Sequence, residues 1–282
     1  MFAAAAKIYR RLVGDRPARF VPDASRDIFL VTYPRSGTTW ISCIAAELMF
    51  NVTPRSMTEV HHLVPDIYAL PRRASVPFAQ QYLIKSHEPL RGSSAYGDYR
   101  RVIYLMRDPR DVMLSYHRFA AAVFNYRGDL SAFARDWVCG RIWPGSWQEH
   151  INSWLGPCSN PRTFNLDILR YEDFISDPIN HSLKLAGLLG VPASRERVAN
   201  VIADTSPDAM RRRAAAGNPG APAGFKAVGA ATSGSWKKII GGEHEQAIQV
   251  LEEFTADTMR RFGYEPLLSS RYLSPASNEN RN

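Results

Sequence analysis

Short apolar runs, each followed by a stretch with helical spacing, set the framework of this chain. Ile28 to Val31 opens the first, read as a strand over 28–33, and residues 38–50 behind it have helical character. Tyr82 to Lys85, Arg101 to Met106 and Leu166 to Arg170 read as three more strands. Unbroken apolar runs of this length belong to strands covered on both faces. Asp108-Pro109 starts a helix that reaches Phe124, because Asp caps a first turn and Pro suits its first position. Another runs from about Pro178 to Leu189 and stops at Gly190. Residues 243–262 carry Ile248, Leu251, Phe254 and Met259 near core spacing and read as the last helix.

Strands alternating with helices predict an α/β fold: a single domain, a central parallel sheet with helices on both faces. Ligands of such sheets sit beyond the carboxyl ends of the strands. Residues 1–25 form an N-terminal extension interrupted by Pro17 and Pro22, 26–266 the domain, and 267–282 a polar tail. Between 51 and 80, four prolines and no clean period predict a long loop with short helices, a position suited to a lid or substrate wall. Met210 to Ser235, rich in Ala and Gly with Pro219 and Pro222, reads as a mobile loop or lid.

Composition narrows the partners. Its 282 residues are 45% hydrophobic and 22% charged, ordinary for one globular domain. No uncharged apolar run approaches the ~20 residues that cross a bilayer, so no transmembrane segment is expected. At the N-terminus the charges follow a short apolar patch, the reverse of a secretory signal. Three cysteines, widely spaced and odd in number, suit a reduced cytoplasmic compartment and no zinc site or disulfide framework. The net charge of +8 fits an anionic ligand, nucleic acid or an acidic surface. Arg72-Arg73 and Arg211 to Arg213 lack interleaved aromatic rings, so they read as solvated faces and no nucleic-acid partner is expected.

The chemistry concentrates in Thr32-Tyr-Pro-Arg-Ser-Gly-Thr-Thr-Trp40. A buried strand, a tight turn and a helix N-terminus together make an anion site, where backbone amides converge and the helix dipole favours negative charge. Gly37 allows close approach; Ser36, Thr38 and Thr39 add hydroxyls, and Arg35 a permanent cation. The loop should hold a phosphate or a sulfate ester. It is not a Walker A loop: no Gly stands at the required spacing before Gly37 and no Lys follows it.

This loop resembles the 5′-phosphosulfate loop of the sulfotransferases that use 3′-phosphoadenosine 5′-phosphosulfate. Ile84-Lys-Ser-His-Glu-Pro-Leu90, Val102 to Tyr116, Gly145-Ser-Trp-Gln-Glu-His150 and Gly234-Ser-Trp-Lys237 resemble the cytosolic-type branch in the same order, with Leu169 to Phe174 a weaker match. The resemblance spans residues 26–264 and implies a P-loop-nucleotide-hydrolase-like fold. It implies sulfuryl transfer from that cosubstrate, without a metal, to a hydroxyl of a small-molecule, lipid or sugar acceptor. His87 matches the catalytic histidine, and imidazole titrates near neutrality as a general base must. Lys85 matches the lysine that steadies the sulfuryl group. Arg35 stands where lysine is usual; a guanidinium braces oxygens but cannot give up a proton, which makes it an electrostatic catalytic group. Arg107 and Ser115 match the grip on the 3′-phosphate, Trp40 and Tyr171 the surroundings of adenine, and Thr205 and Ser206 a further cofactor contact, although Pro207 replaces a usual phenylalanine. Trp147 and His150 resemble acceptor-lining residues; Phe124, Asp66, Tyr68 and Phe78 join them by placement alone.

Two departures stand out. Members of that branch carry Arg-Lys-Gly-x-x-Gly-x-Trp-Lys near the C-terminus, where this chain has Gly229-Ala230-Ala231 before Gly234; Lys226 or the Arg211 to Arg213 group would have to substitute. Their dimer signature would begin at Lys237, but Gly241-Gly242 and Gln246 break it, leaving the oligomeric state open. Asp108, Arg110 and Asp111 read as helix-capping or mutually paired. Rival readings are a degenerate, non-catalytic nucleotide binder and a nucleotide-dependent kinase.

Overall fold

The computed structural model describes residues 23, 25–67, 81–90, 100–156, 164–216, 232–242 and 244–267. Four parallel strands form one sheet in the order β2-β1-β3-β4: β1 (Ile28–Thr32), β2 (Leu83–Ser86), β3 (Arg101–Met106) and β4 (Asn165–Arg170). All five residues of β1 are buried, as its unbroken apolar run requires. Side chains alternate between faces along a strand, and two cores result. Phe29, Val31, Ile84, Val102 and Tyr104 point to one side. Ile28, Leu30, Leu83, Ile103 and Leu105 point to the other. Each fully buried side chain of this size contributes about 1.5–3 kcal/mol relative to exposure.

Ten α-helices are seen among the described residues. They are α1 (Thr38–Phe50), α2 (Met57–Leu63), α3 (Pro109–Val123), α4 (Leu130–Val138), α5 (Trp147–Leu155), α6 (Tyr171–Ser176), α7 (Pro178–Leu189), α8 (Arg195–Asp204), α9 (Pro207–Ala216) and α10 (Glu245–Arg261). A short 3-10 turn spans Ser235–Ile239. Helices α3, α4, α5 and α10 feed the core on one face, while α1, α7 and α8 feed the other. The expected two-sided parallel architecture is what the chain adopts.

From β1 the chain crosses to β2 on one side, and from β3 to β4 on the other. The ends of β1 and β3 are therefore a topological switch point, where such sheets open a crevice. Register brings Thr32 opposite Leu105 and Val31 opposite Ser86, so the turns after β1, β2 and β3 emerge at one edge.

One expectation needs correction. The stretch from Met210 was read as loop, yet residues to Ala216 continue helix α9. Pro207 stands at its first position, where a missing N–H costs nothing, and the Arg- and Ala-rich run behind it favours helix. Residues 217–231, like 1–22 and the tail beyond 267, lie outside the described residues.

Candidate functional site

The apolar row Ile28-Leu30 on β1 turns polar at Thr32. So does the row on β2, where Leu83 is followed at the same parity by Lys85 and His87, and the row on β3, where Ile103-Leu105 leads to Arg107. Side-chain alternation thus sends all four polar groups to the same face at the carboxyl edge.

Past β1 the chain turns sharply into α1. Arg35 and Gly37 both take positive φ, 71° and 99°. A Cβ on Gly37 would lie 2.3 Å from the Tyr171 ring, so glycine is required for space as well as conformation. Helix α1 has no side-chain cap at its N-terminus and no acidic residue in its first turn. Its first amides are the unfilled donors of any helix start, and nothing acidic neutralises the dipole there. The Ser36 hydroxyl is buried without a hydrogen-bond partner among the described residues, and so is the Nε of Arg107. Both are donors at the mouth of the turn, available to a ligand held there.

Arg107 crosses from the end of β3 to donate to the Arg35 carbonyl at 3.2 Å and to the Thr232 carbonyl at 2.8 Å. Its guanidinium lies 4.2 Å from the centre of the Tyr171 ring. Arg35 Nε donates to Ser115 Oγ at 3.1 Å, with its guanidinium over Phe119. The turn around Gly37 and the Arg107/Ser115 pair therefore meet. Trp40 packs edge-on against Tyr171 and Phe174.

His87 is buried beside this loop, and its Nδ1 lies 2.8 Å from the Thr32 carbonyl. A carbonyl only accepts, so Nδ1 carries the hydrogen and the lone pair falls on Nε2. Thr32 Oγ1 also lies 2.6 Å from Thr38 Oγ1, so one residue links the imidazole to the start of α1. Burial pushes the His87 pKa below the usual imidazole range, opposed by the charge of Asp66 and the bond to Thr32. The Trp143 ring stands edge-on to it at 6.0 Å, a contact that carries no sequence signal. Lys85 is buried with its Nζ 3.5 Å from Asp66.

Several candidate residues are placed in supporting positions. His150 donates from Nε2 to the His87 carbonyl at 3.2 Å and pairs through Nδ1 with Tyr104 at 2.8 Å. Burial brings its pKa down to about 3, so it stays neutral. Trp147 is core at the start of α5. Phe124 closes α3 and stacks edge-on against Phe119, the ring beneath Arg35. The Thr205 hydroxyl bonds back to the Val201 carbonyl and Ser206 accepts from Ala209, so both hydroxyls serve the α8–α9 junction. Arg213 is locked onto Glu47, and Arg211 pairs with Asp208. Thr39 follows Thr38 in the first turn of α1. Lys226, Tyr68 and Phe78 lie outside the described residues.

Asp111 does more than its capping position signalled. Its carboxylate accepts from the amides of Gly234 and Trp236 at 2.7 and 3.1 Å and lies 3.8 Å from Arg107. Arg110, paired to Asp108 and Glu252, stacks on Trp236 at 3.6 Å. The Gly234–Trp236 turn is thereby tied to the crevice. Among the described residues no cluster of His, Cys, Asp and Glu is arranged to hold a metal, and no helix is long and apolar enough to cross a membrane.

Comparison with known proteins bears on this geometry. The family described as sulfotransferase domain matches residues 25–263. Human sulfotransferase 2B1 is 30% identical over 194 residues, covering 66% of this chain and 52% of its own length. Bovine sulfotransferase 1E1 is 30% identical over 202 residues, covering 66% of each. The match thus spans half to about two-thirds of these curated relatives. Among solved structures, retinol dehydratase with androsterone and the inactive cofactor PAP superposes with a TM-score of 0.62 at 20% identity, over 90% of this chain and 85% of that one. Mouse sulfotransferase SULT7A1 with PAP gives 0.61 at 20% identity, over 89% and 91%.

Proposed function

Because the chain belongs to the sulfotransferase domain family, we propose that it moves a sulfuryl group from 3′-phosphoadenosine 5′-phosphosulfate to an acceptor hydroxyl, with His87 as general base. The residues fit such a donor. Ser36, the first amides of α1 and Arg35 offer donors and charge to the phosphosulfate; Arg107 and Ser115 do so for the 3′-phosphate at the other end.

The donor supplies an activated sulfur whose bond to the bridging phosphate oxygen breaks as a bond to the acceptor oxygen forms. His87 Nε2 takes the acceptor proton, and the Thr32 carbonyl fixes the tautomer that makes this possible. Arg35 and Lys85 balance the charge that grows on the leaving phosphate and the transferring oxygens. Arg35 acts here as a fixed cation, since a guanidinium does not release its proton. The acceptor is a hydroxyl of a small molecule, lipid or sugar. The androsterone held by retinol dehydratase, a neighbour in fold, supports the small-molecule alcohol.

One observation carries the reading: Thr32 bonds both the imidazole and the first residue of α1, which puts base and anion loop on a single hinge point. The test is transfer of labelled sulfate to a panel of phenols, alcohols, sterols and sugars. His87→Ala should lower kcat by about 100-fold or more, while binding adenosine 3′,5′-bisphosphate nearly as wild type does. A folded variant with full turnover removes His87 from the role.

A further inference from the structure

Lys85 and His87 sit two residues apart at the end of β2 and so share a face. Directly beside Lys85, the segment after α2 forms a single parallel bridge with the strand. Ile67 N–H donates to the Lys85 carbonyl at 2.9 Å, and Lys85 N–H to the Pro65 carbonyl at 2.9 Å. That bridge sets Asp66 in register with Lys85, on the same face, with its carboxylate 3.5 Å from Nζ. Both side chains are almost fully enclosed, at 3% and 10% exposure. A carboxylate at this depth is costly unless it is paired, and in the sulfuryl-transfer reading a negative charge beside an incoming anion is a further cost. Something must favour its presence.

We propose that Asp66 is a positioning residue of the transfer reaction: set in register with Lys85 by the parallel bridge, its carboxylate anchors the Lys85 ammonium and adds a negative charge to the face that carries His87. This deepens the assignment of His87 and Lys85 above and rests on it. The groups acting on His87 come from every side of the site. Arg35 in the β1–α1 turn and Lys85 on β2 oppose protonation, and burial opposes it most; Asp66 and the Thr32 carbonyl favour it. Neutral His150, on α5, holds the His87 backbone. Asp66 is the carboxylate among these groups. The charge of Lys85 also acts on His61 of α2. The lysine charge, followed by burial, brings the His61 pKa down to about 3, so His61 contributes no second cation to the cluster.

Removal of the carboxylate has a defined sign. A general-base histidine works when neutral, so the rate climbs as pH rises through its pKa. With Asp66→Asn that pKa falls, and the acid limb of kcat/KM moves to lower pH by about half a unit or more. The weaker base and the unanchored Lys85 then lower the plateau by about three-fold or more. Asp66→Glu, which keeps the charge, restores the wild-type midpoint more closely than Asn does.

The experiment pairs these profiles with an NMR titration of the His87 imidazole in the full chain without donor, comparing wild type, Asp66→Asn and Asp66→Glu. The proposal expects the His87 midpoint to drop in the Asn variant and to recover in the Glu variant. An unchanged His87 midpoint in a folded Asn variant overturns it. The titration reads the imidazole whether or not His87 is the base. A shifted titration with an unshifted rate profile would therefore reject the anchor's catalytic role, whereas loss of the base assignment itself shows in His87→Ala.

Discussion

His87 and His150 form a buried pair with opposite duties, and the hydrogen bonds separate them. His87 donates from Nδ1 to the Thr32 carbonyl, which places the lone pair on Nε2 as the proposed base requires; His150 uses both nitrogens on protein partners, the His87 carbonyl and the Tyr104 hydroxyl. His150 carries a linked cost. Its folded pKa of about 3 lies below the ordinary imidazole value of about 6.5. The unfolded chain therefore binds a proton that the folded one refuses, and stability falls as pH drops from about 6.5 toward 3. His150→Gln, which can donate to the His87 carbonyl and accept from Tyr104 without titrating, should flatten that dependence. Thermal unfolding followed across pH 4 to 7 checks it: a variant with the same steep loss as wild type would contradict the assignment. Both histidines were visible in the sequence, His87 as the expected base and His150 as an expected acceptor-lining residue, but the hydrogen bonds that hold His150 inside the fold were not. His150 stood out through its motif alone, and its enclosure against Tyr104 depends on β3 and α5 meeting across 46 residues of chain.

Among elements, α1 does the most. Its N-terminus faces the crevice and its body lies in the core beneath β1 and β3. Its far half is braced by a buried pair, Glu47 with Arg213 of α9, next to the enclosed Cys43 thiol, whose pKa is pushed up to about 12, chiefly by burial. Removing one partner of such a pair strands the other charge and costs about 3–5 kcal/mol, whereas an apolar replacement of both is tolerated far better. Arg213→Met should lower Tm by about 10 °C, and Glu47→Met combined with Arg213→Met should recover most of it. Calorimetry that finds the single variant as stable as wild type would rule out the brace. The strand–turn–helix around Gly37 was legible because period, glycine and hydroxyls agree in one short stretch. Helix α9 was not, since the Gly- and Pro-rich composition after Ala216 coloured the reading of the stretch from Met210 before it. Helices α4, α5, α6 and α8 are short, nine or ten residues at most, so their periods gave little signal.

Across the whole molecule, function derives from the order in which the strands are laid down. With β1 and β3 adjacent and their onward connections diverging, the anion loop, Arg107 and His87 share an edge that none of their sequence separations would indicate. The shared site after the strands could be anticipated from the parallel fold; strand order and register could not, because neighbouring strands are joined by contacts rather than by adjacent sequence. The unusual Gly229-Ala230-Ala231 stretch lies outside the described residues. The turn just beyond it is held firmly, with Asp111 gripping the Gly234 and Trp236 amides and Arg107 reaching the Thr232 carbonyl. The crevice between Gly37 and Arg107 is the centre of the account, and adenosine 3′,5′-bisphosphate is its most direct probe. Calorimetric titration of the full chain should give one-to-one binding, weakened by about ten-fold or more in Gly37→Ala, where strain and the displaced Tyr171 ring close the loop to the anion. A wild-type protein that takes up no ligand, or a folded Gly37→Ala variant that binds as tightly, would contradict it.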